Sequence, residues 1–223
     1  MSIGKEKKNM ARSLVLIGGK GPETLEGLKM DSYRSIIAAD SGYDLAIKLG
    51  LEPDVVVGDL DSTMYGDILR GSGMHVSSVD KDESDFELAL MSLEEDEEYD
   101  LLGGGEGRLD HTLSIFSSFI KYRPPRVWKT HVDYMVSFRE ADFTSEPGTE
   151  ISIFPARLGS VCKVDTYGLV WNLSDDNLST SFMSLSNRFE SERISIKSTD
   201  TLFARFDNAK LDFSSLNVNI RIC

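Results

Sequence analysis

Five aspartates of this chain fall in two short clusters, Gly58-Asp59-Leu60-Asp61-Ser62 and Asp80-Lys81-Asp82-Glu83-Ser84-Asp85, and Asp40 precedes both. Carboxylates packed this densely repel one another and raise each other's pKa unless a cation neutralises them. Mg2+ is the common solution where phosphates are handled as well. If the chain stays extended past Val57, Asp59 and Asp61 point to one face and Leu60 to the other, because side chains alternate along a strand. Asp and Ser also favour turns and caps for local reasons, so the first cluster alone leaves both readings open. The second cluster exceeds what a helix start requires. Ser84 or Asp82 can cap the free N–H groups there, which leaves further carboxylates for a metal-linked role. Lys81 reads equally as a surface charge and as a phosphate contact.

The segment Gly103-Gly104-Gly105-Glu106-Gly107-Arg108-Leu109-Asp110-His111-Thr112 carries complementary chemistry. Glycines let a backbone approach a ligand closely, and a helix N-terminus offers an anion free N–H groups and the positive end of its dipole. Arg108 can add a two-pronged grip on phosphate. The Lys-Ser/Thr ending of a Walker A loop is missing. Asp110 is placed to cap the following helix, and His111 reads as structural. His75 and His131 lack partners at metal-ligand spacing, and neither Cys162 nor Cys223 lies in a nucleophile context. No serine sits in a nucleophile elbow. Metal-assisted phosphoryl chemistry remains the best-matched class, since it depends on positioning and charge neutralisation.

These residues need elements to hold them. Apolar runs at 14–17, 35–39, 54–57 and 100–102 read as strands, and each ends in glycine or aspartate. Helical spacing follows at 45–49, 85–93 and 112–120. Nearly continuous apolar strands alternating with helices predict a mainly parallel sheet covered on both faces. Ligands in such sheets bind beyond the carboxyl ends of the strands, so Asp40, Asp59, Asp61 and the glycines at 103–105 are expected along one edge. After Glu146-Pro147-Gly148 the pattern changes to short alternating runs at 150–154, 193–197 and 201–206. These predict antiparallel strands, hence an α/β domain over 1–143 and an all-β sandwich over 144–223.

Composition sets the outer limits. At 223 residues and 40% hydrophobic content the chain can build a real core, and its formal net charge of −13 argues against nonspecific affinity for nucleic acid or anionic membrane. Two cysteines provide no disulfide framework. The basic stretch at 5–12 is followed by too short an apolar run for a signal peptide, and no run is long enough to span a bilayer. A cytoplasmic location is expected.

Read in order, Ala39-Asp40-Ser41-Gly42, Pro53-Asp54, Gly58-Asp59-Leu60-Asp61-Ser62, Asp80 to Asp85 and Gly107-Arg108-Leu109-Asp110-His111-Thr112 resemble the thiamine pyrophosphokinase family. Gly168-Leu169-Val170-Trp171-Asn172-Leu173 and Ser184-Leu185-Ser186-Asn187 extend the resemblance over nearly the whole chain. Ser41, Lys81 and Ser84 are mild departures from the commonest form.

The resemblance implies a homodimer that transfers the diphosphate of ATP to thiamine, giving thiamine diphosphate and AMP. It implies that Asp40, Asp59, Asp61 and Asp85 hold Mg2+ and the triphosphate. Asp61 and Asp85 are the candidates to take the acceptor's proton. Asp40, Lys81, Asp82, Ser84, Gly105 and Arg108 would contact ATP. Asp110, Trp171, Ser186 and Asn187 would contact thiamine, with Trp171 reaching in from the other subunit. A pterin diphosphokinase and a noncatalytic nucleotide or Mg2+ binder are the alternatives.

Overall fold

The computed structural model describes residues 12–73, 75–76 and 83–221. Strands β1 (Arg12–Leu16), β2 (Tyr33–Ala39), β3 (Val55–Val57), β4 (His75–Val76), β5 (Glu98–Leu102) and β6 (Val127–Lys129) form a parallel array in the order β4-β3-β2-β1-β5-β6. The order reverses at β1, which has β2 on one side and β5 on the other. A crevice beyond the carboxyl end of β1 is therefore the natural ligand position. Both faces of β1 are covered. Leu14 and Leu16 pack with Leu45 and Ala46 on one side, while Val15 and Ile17 pack with Phe86, Leu90 and Phe119 on the other. That two-sided burial is why the strand reads as an unbroken apolar run.

Helices α1 (Gly42–Lys48), α2 (Gly66–Arg70), α3 (Asp85–Met91) and α4 (Leu109–Lys121) connect the strands. Three of these occupy the segments expected to be helical. α4, however, starts three residues ahead of the expected Thr112. Arg108 takes the extended cap conformation (φ −63, ψ 138) and makes no side-chain cap. Asp110 consequently lies inside the first turn and does not cap the helix.

The chain then becomes β-rich. β7 (Asp133–Thr144) runs antiparallel to β6 and carries the sheet onward into β12 (Arg193–Asp207). The runs at 193–197 and 201–206 belong to this one long strand, whose register with β7 shifts between Lys197 and Leu202. Before the shift β12 pairs with β9 (Cys162–Tyr167); after it, with β8 (Glu150–Pro155). This β-rich part is built around a core that includes Phe143, Ile153, Val164, Ile194 and Phe206. β10 (Asp176–Leu178), β11 (Ser184–Arg188) and β13 (Asn217–Ile220) complete the edges on β9, β8 and β7. The fold is a mixed sheet with four helices and a β-rich C-terminal part among the described residues. No helix there is long and apolar enough to cross a membrane.

Candidate active site

A cleft of about 660 Å3 opens beyond the carboxyl end of β1. One wall is acidic. Asp40, Asp59 and Asp61 each bring a carboxylate oxygen to within 4.8 Å of the others. Asp40 follows β2 directly, and its backbone N–H donates to Val57 O at 2.8 Å, tying the ends of β2 and β3 together. Its side chain is only 7% exposed and accepts from Ser62 N at 3.3 Å.

The convergence of Asp59 and Asp61 does not come from an extended strand. Leu60 between them adopts a left-handed backbone (φ 61) and buries its side chain against Val56, Ala38 and Leu69. Leucine rarely adopts this conformation, so the surroundings must enforce it. Asp59 Oδ1 accepts from Asp61 N at 3.2 Å, and Arg70 on α2 donates to Leu60 O at 3.2 Å. Asp40 is itself left-handed (φ 45). Backbone outliers held in place by their neighbours concentrate at functional sites.

Asp85 in the first turn of α3 faces this trio. Gly58 makes the approach possible, since a Cβ there would sit 2.7 Å from Asp85 Oδ1. Partial burial, then the charges of Asp40, Asp59 and Asp61, push the Asp85 carboxyl up to about 6. None of the four carboxylates joins an ion pair with another described residue. Oxygen donors clustered in this way suit a hard dication such as Mg2+, which takes carboxylate oxygens as ligands. The donor set therefore fits Mg2+.

The opposite wall is backbone. Gly18 and Gly19 follow β1, Gly104 and Gly107 follow β5, and the N-terminus of α4 brings Arg108, His111 and Ser114 to the rim. Gly104 N donates to Gly18 O at 2.9 Å, which seams the two glycine loops together. The free N–H groups of α4 and the Arg108 guanidinium give this wall positive character opposite the acidic one. Arg108 grips Asp110 through Nε at 3.1 Å and Nη2 at 2.5 Å.

Other expected residues are placed differently. Ser84 lines the cleft, yet its hydroxyl caps α3: Oγ accepts from Glu87 N at 3.3 Å, and the Glu87 carboxylate accepts from Ser84 N at 3.1 Å. Lys81 and Asp82 lie outside the described residues. Gly105 is buried beside Lys20 and His131 and borders a second groove behind the wall, together with Ser186. Asp110 does not line the cleft and is engaged with Arg108. Trp171 is 59% exposed on the turn after β9 and does not line the cleft within its own chain. Asn187 is 1% exposed. Its amide accepts from Trp171 N at 3.2 Å and donates to Trp171 O at 2.7 Å, so in this chain it shapes the tryptophan turn.

Sequence reading missed Gly18, Gly19 and His111 as parts of the wall. The glycines had a signal, since they follow the first strand as the others follow theirs. His111 had none, because its position at the rim depends on where α4 begins.

Two family models match this chain. Residues 28–128 match "Thiamin pyrophosphokinase, catalytic domain" and residues 141–203 match "Thiamin pyrophosphokinase, vitamin B1 binding domain". A search of curated proteins returns no match. Solved structures of similar fold include a thiamin pyrophosphokinase family protein from Enterococcus faecalis, at 17% identity and a TM-score of 0.69, covering 89% of this chain and 99% of that one. The thiamine pyrophosphokinase of Bacillus subtilis is similar at 19% identity and a TM-score of 0.68, with 88% and 98% covered. The yeast thiamin pyrophosphokinase has 15% identity and a TM-score of 0.62, with 94% and 90% covered.

Proposed function

The chain belongs to the thiamin pyrophosphokinase family, and on that footing we propose how its cleft works as a thiamine diphosphokinase. The reaction moves the diphosphate of ATP onto the hydroxyethyl oxygen of thiamine and leaves AMP. The observation that carries the residue assignment is the pairing of two walls in one cleft, three convergent carboxylates facing glycine backbone and a helix N-terminus.

Asp40, Asp59, Asp61 and Asp85 are the residues that would hold Mg2+. When bound, the ion neutralises charge on the triphosphate and stabilises charge that develops during transfer. The chain's own groups do the rest. Gly18, Gly19 and Gly104 let the phosphates lie against backbone, and Arg108 with the N-terminus of α4 holds the transferred diphosphate in line with the acceptor. Ser84 contacts the nucleotide from the start of α3, while Gly105 backs the wall from the second groove. Asp85 or Asp61 accepts the acceptor's hydroxyl proton.

Residues 1–143 form the ATP- and Mg2+-binding unit in this reading, and residues 144–223 a β-sandwich that binds thiamine and mediates dimerisation. Support for a homodimer comes from apolar side chains left open to solvent. Leu109, Leu113 and Ile120 are exposed along α4, and Val170, Trp171, Phe182 and Leu185 are exposed on the β-rich part. A two-fold dimer would bring Trp171 of one subunit to the cleft of the other, where its face suits the cationic thiazolium or the flat pyrimidine. Asp110 and Ser186 would border the same acceptor position, with Asn187 setting the tryptophan turn. The compartment consistent with these substrates is the cytoplasm.

The test is 31P NMR of the purified protein with ATP, Mg2+ and thiamine. AMP and thiamine diphosphate are expected to grow in equal amounts. AMP appearing only with a pterin alcohol would overturn the acceptor, and no AMP with either would overturn the reaction.

A further inference from the structure

Between the nucleotide cleft and the groove behind it, three polar side chains from three separate loops meet. Lys20 follows β1, Glu106 follows β5 and His131 follows β6. Lys20 Nζ donates to Glu106 Oε2 at 2.8 Å, and His131 Nε2 lies 2.9 Å from Glu106 Oε1. The backbone is laced at the same point, with Lys20 N donating to Gly105 O at 2.6 Å. Glu106 has a left-handed backbone (φ 42) in a segment where glycine stands on either side. Glycine adopts that conformation freely and glutamate does not. A side chain at a position suited to glycine points to a use for the side chain.

The use is visible two residues downstream. From Glu106 the chain passes through Gly107, where an added Cβ would meet nothing within 4 Å, and reaches Arg108 and the start of α4. Glu106 is thus the last anchored point before the guanidinium assigned to the diphosphate. The Lys20 and Glu106 side chains are 54% and 59% exposed, and an exposed ion pair contributes little to stability. Its effect is directional: it fixes where the β5–α4 loop leaves the sheet relative to Gly18 and Gly19.

We infer that Glu106, clamped by Lys20 and His131, is a positioning residue that holds Arg108 and the α4 N-terminus over the phosphate wall. This rests on the reading of the cleft as an ATP site. The experiment compares MgATP binding by calorimetry, without thiamine, in the wild-type protein and in Glu106→Gly, Glu106→Gln and Lys20→Met.

Glu106→Gly relieves the backbone and removes the clamp, so its melting temperature is expected to match or exceed wild type while its Kd for MgATP rises about fivefold. Lys20→Met is expected to weaken binding in the same direction. Glu106→Gln can still accept from Lys20 and bond His131, and is expected within about twofold of wild type. The KM for thiamine stays unchanged in all three. Wild-type protein that fails to bind MgATP would overturn the nucleotide reading itself. Wild-type binding with equal affinity in Glu106→Gly would overturn only the clamp, as would a thiamine KM that moves as much as that for ATP.

Discussion

The parallel half and the β-rich half of this chain treat polar side chains in opposite ways. In the parallel half, Asp40, Asp59, Asp61 and Asp85 gather on one side of a cleft, and no described cation is paired with them. In the β-rich half, Asn187 has both ends of its amide engaged, and Asp142 is paired with Arg221 at 2.5 Å and Arg193 at 3.2 Å. One arrangement holds like charges together and needs something from outside. The other is complete in itself. Substitutions in the first should change activity more than stability, and those in the second the reverse.

The strongest way to break this contrast is Asp61→Asn. It is expected to lower kcat by about 10^3-fold, as loss of several kcal/mol of charge stabilisation implies, while leaving the melting temperature equal or higher. Steady-state kinetics and calorimetry on one preparation decide it, and a destabilised but active variant would reverse the assignment of the two halves. Asn187→Ala is the mirror experiment. It removes the amide that holds both backbone groups of Trp171 and should cost about 2 kcal/mol in urea unfolding, with a raised KM for thiamine and little change in kcat.

A smaller effect sharpens the electrostatic side. The folded protein holds Asp85 near pKa 6, above its ordinary value of 3.8. Between those values the folded state binds a proton that the unfolded state does not, so stability without metal should rise as pH falls from about 7 to 4. Asp85→Asn should flatten that slope, and Mg2+ should oppose it by favouring the ionised form. Thermal melts across pH with and without Mg2+ measure this. An unchanged slope in Asp85→Asn would assign the effect elsewhere.

The smallest stability change belongs to Trp171→Ala, within about 0.5 kcal/mol, because the side chain is already open to solvent. Its activity should nonetheless fall, and mixing it with Asp61→Asn should restore part of the turnover if the site is shared between subunits. No recovery despite subunit exchange would confine the tryptophan to its own chain.

Much of this was legible in the sequence because the signals were local. The apolar runs of β1, β2 and β3 are continuous since both faces are buried, and the aspartates and glycines follow the strand ends that border the cleft. The Ser84 cap could be read from Ser84 and Glu87 three residues apart.

Tertiary structure decided what depends on surroundings. Asp59 and Asp61 converge through a left-handed Leu60 braced by Arg70, since burying that leucine against Val56 and Leu69 outweighs the extended alternative. β12 changes partner from β9 to β8 at a register shift that two separate apolar runs do not announce. The meeting of Lys20, Glu106 and His131, from loops far apart in the chain, had no sequence signal at all. Periodicity and turn chemistry act between near neighbours, so they fix elements and strand-end residues; contacts that join distant loops arise only once the sheet has set its strand order.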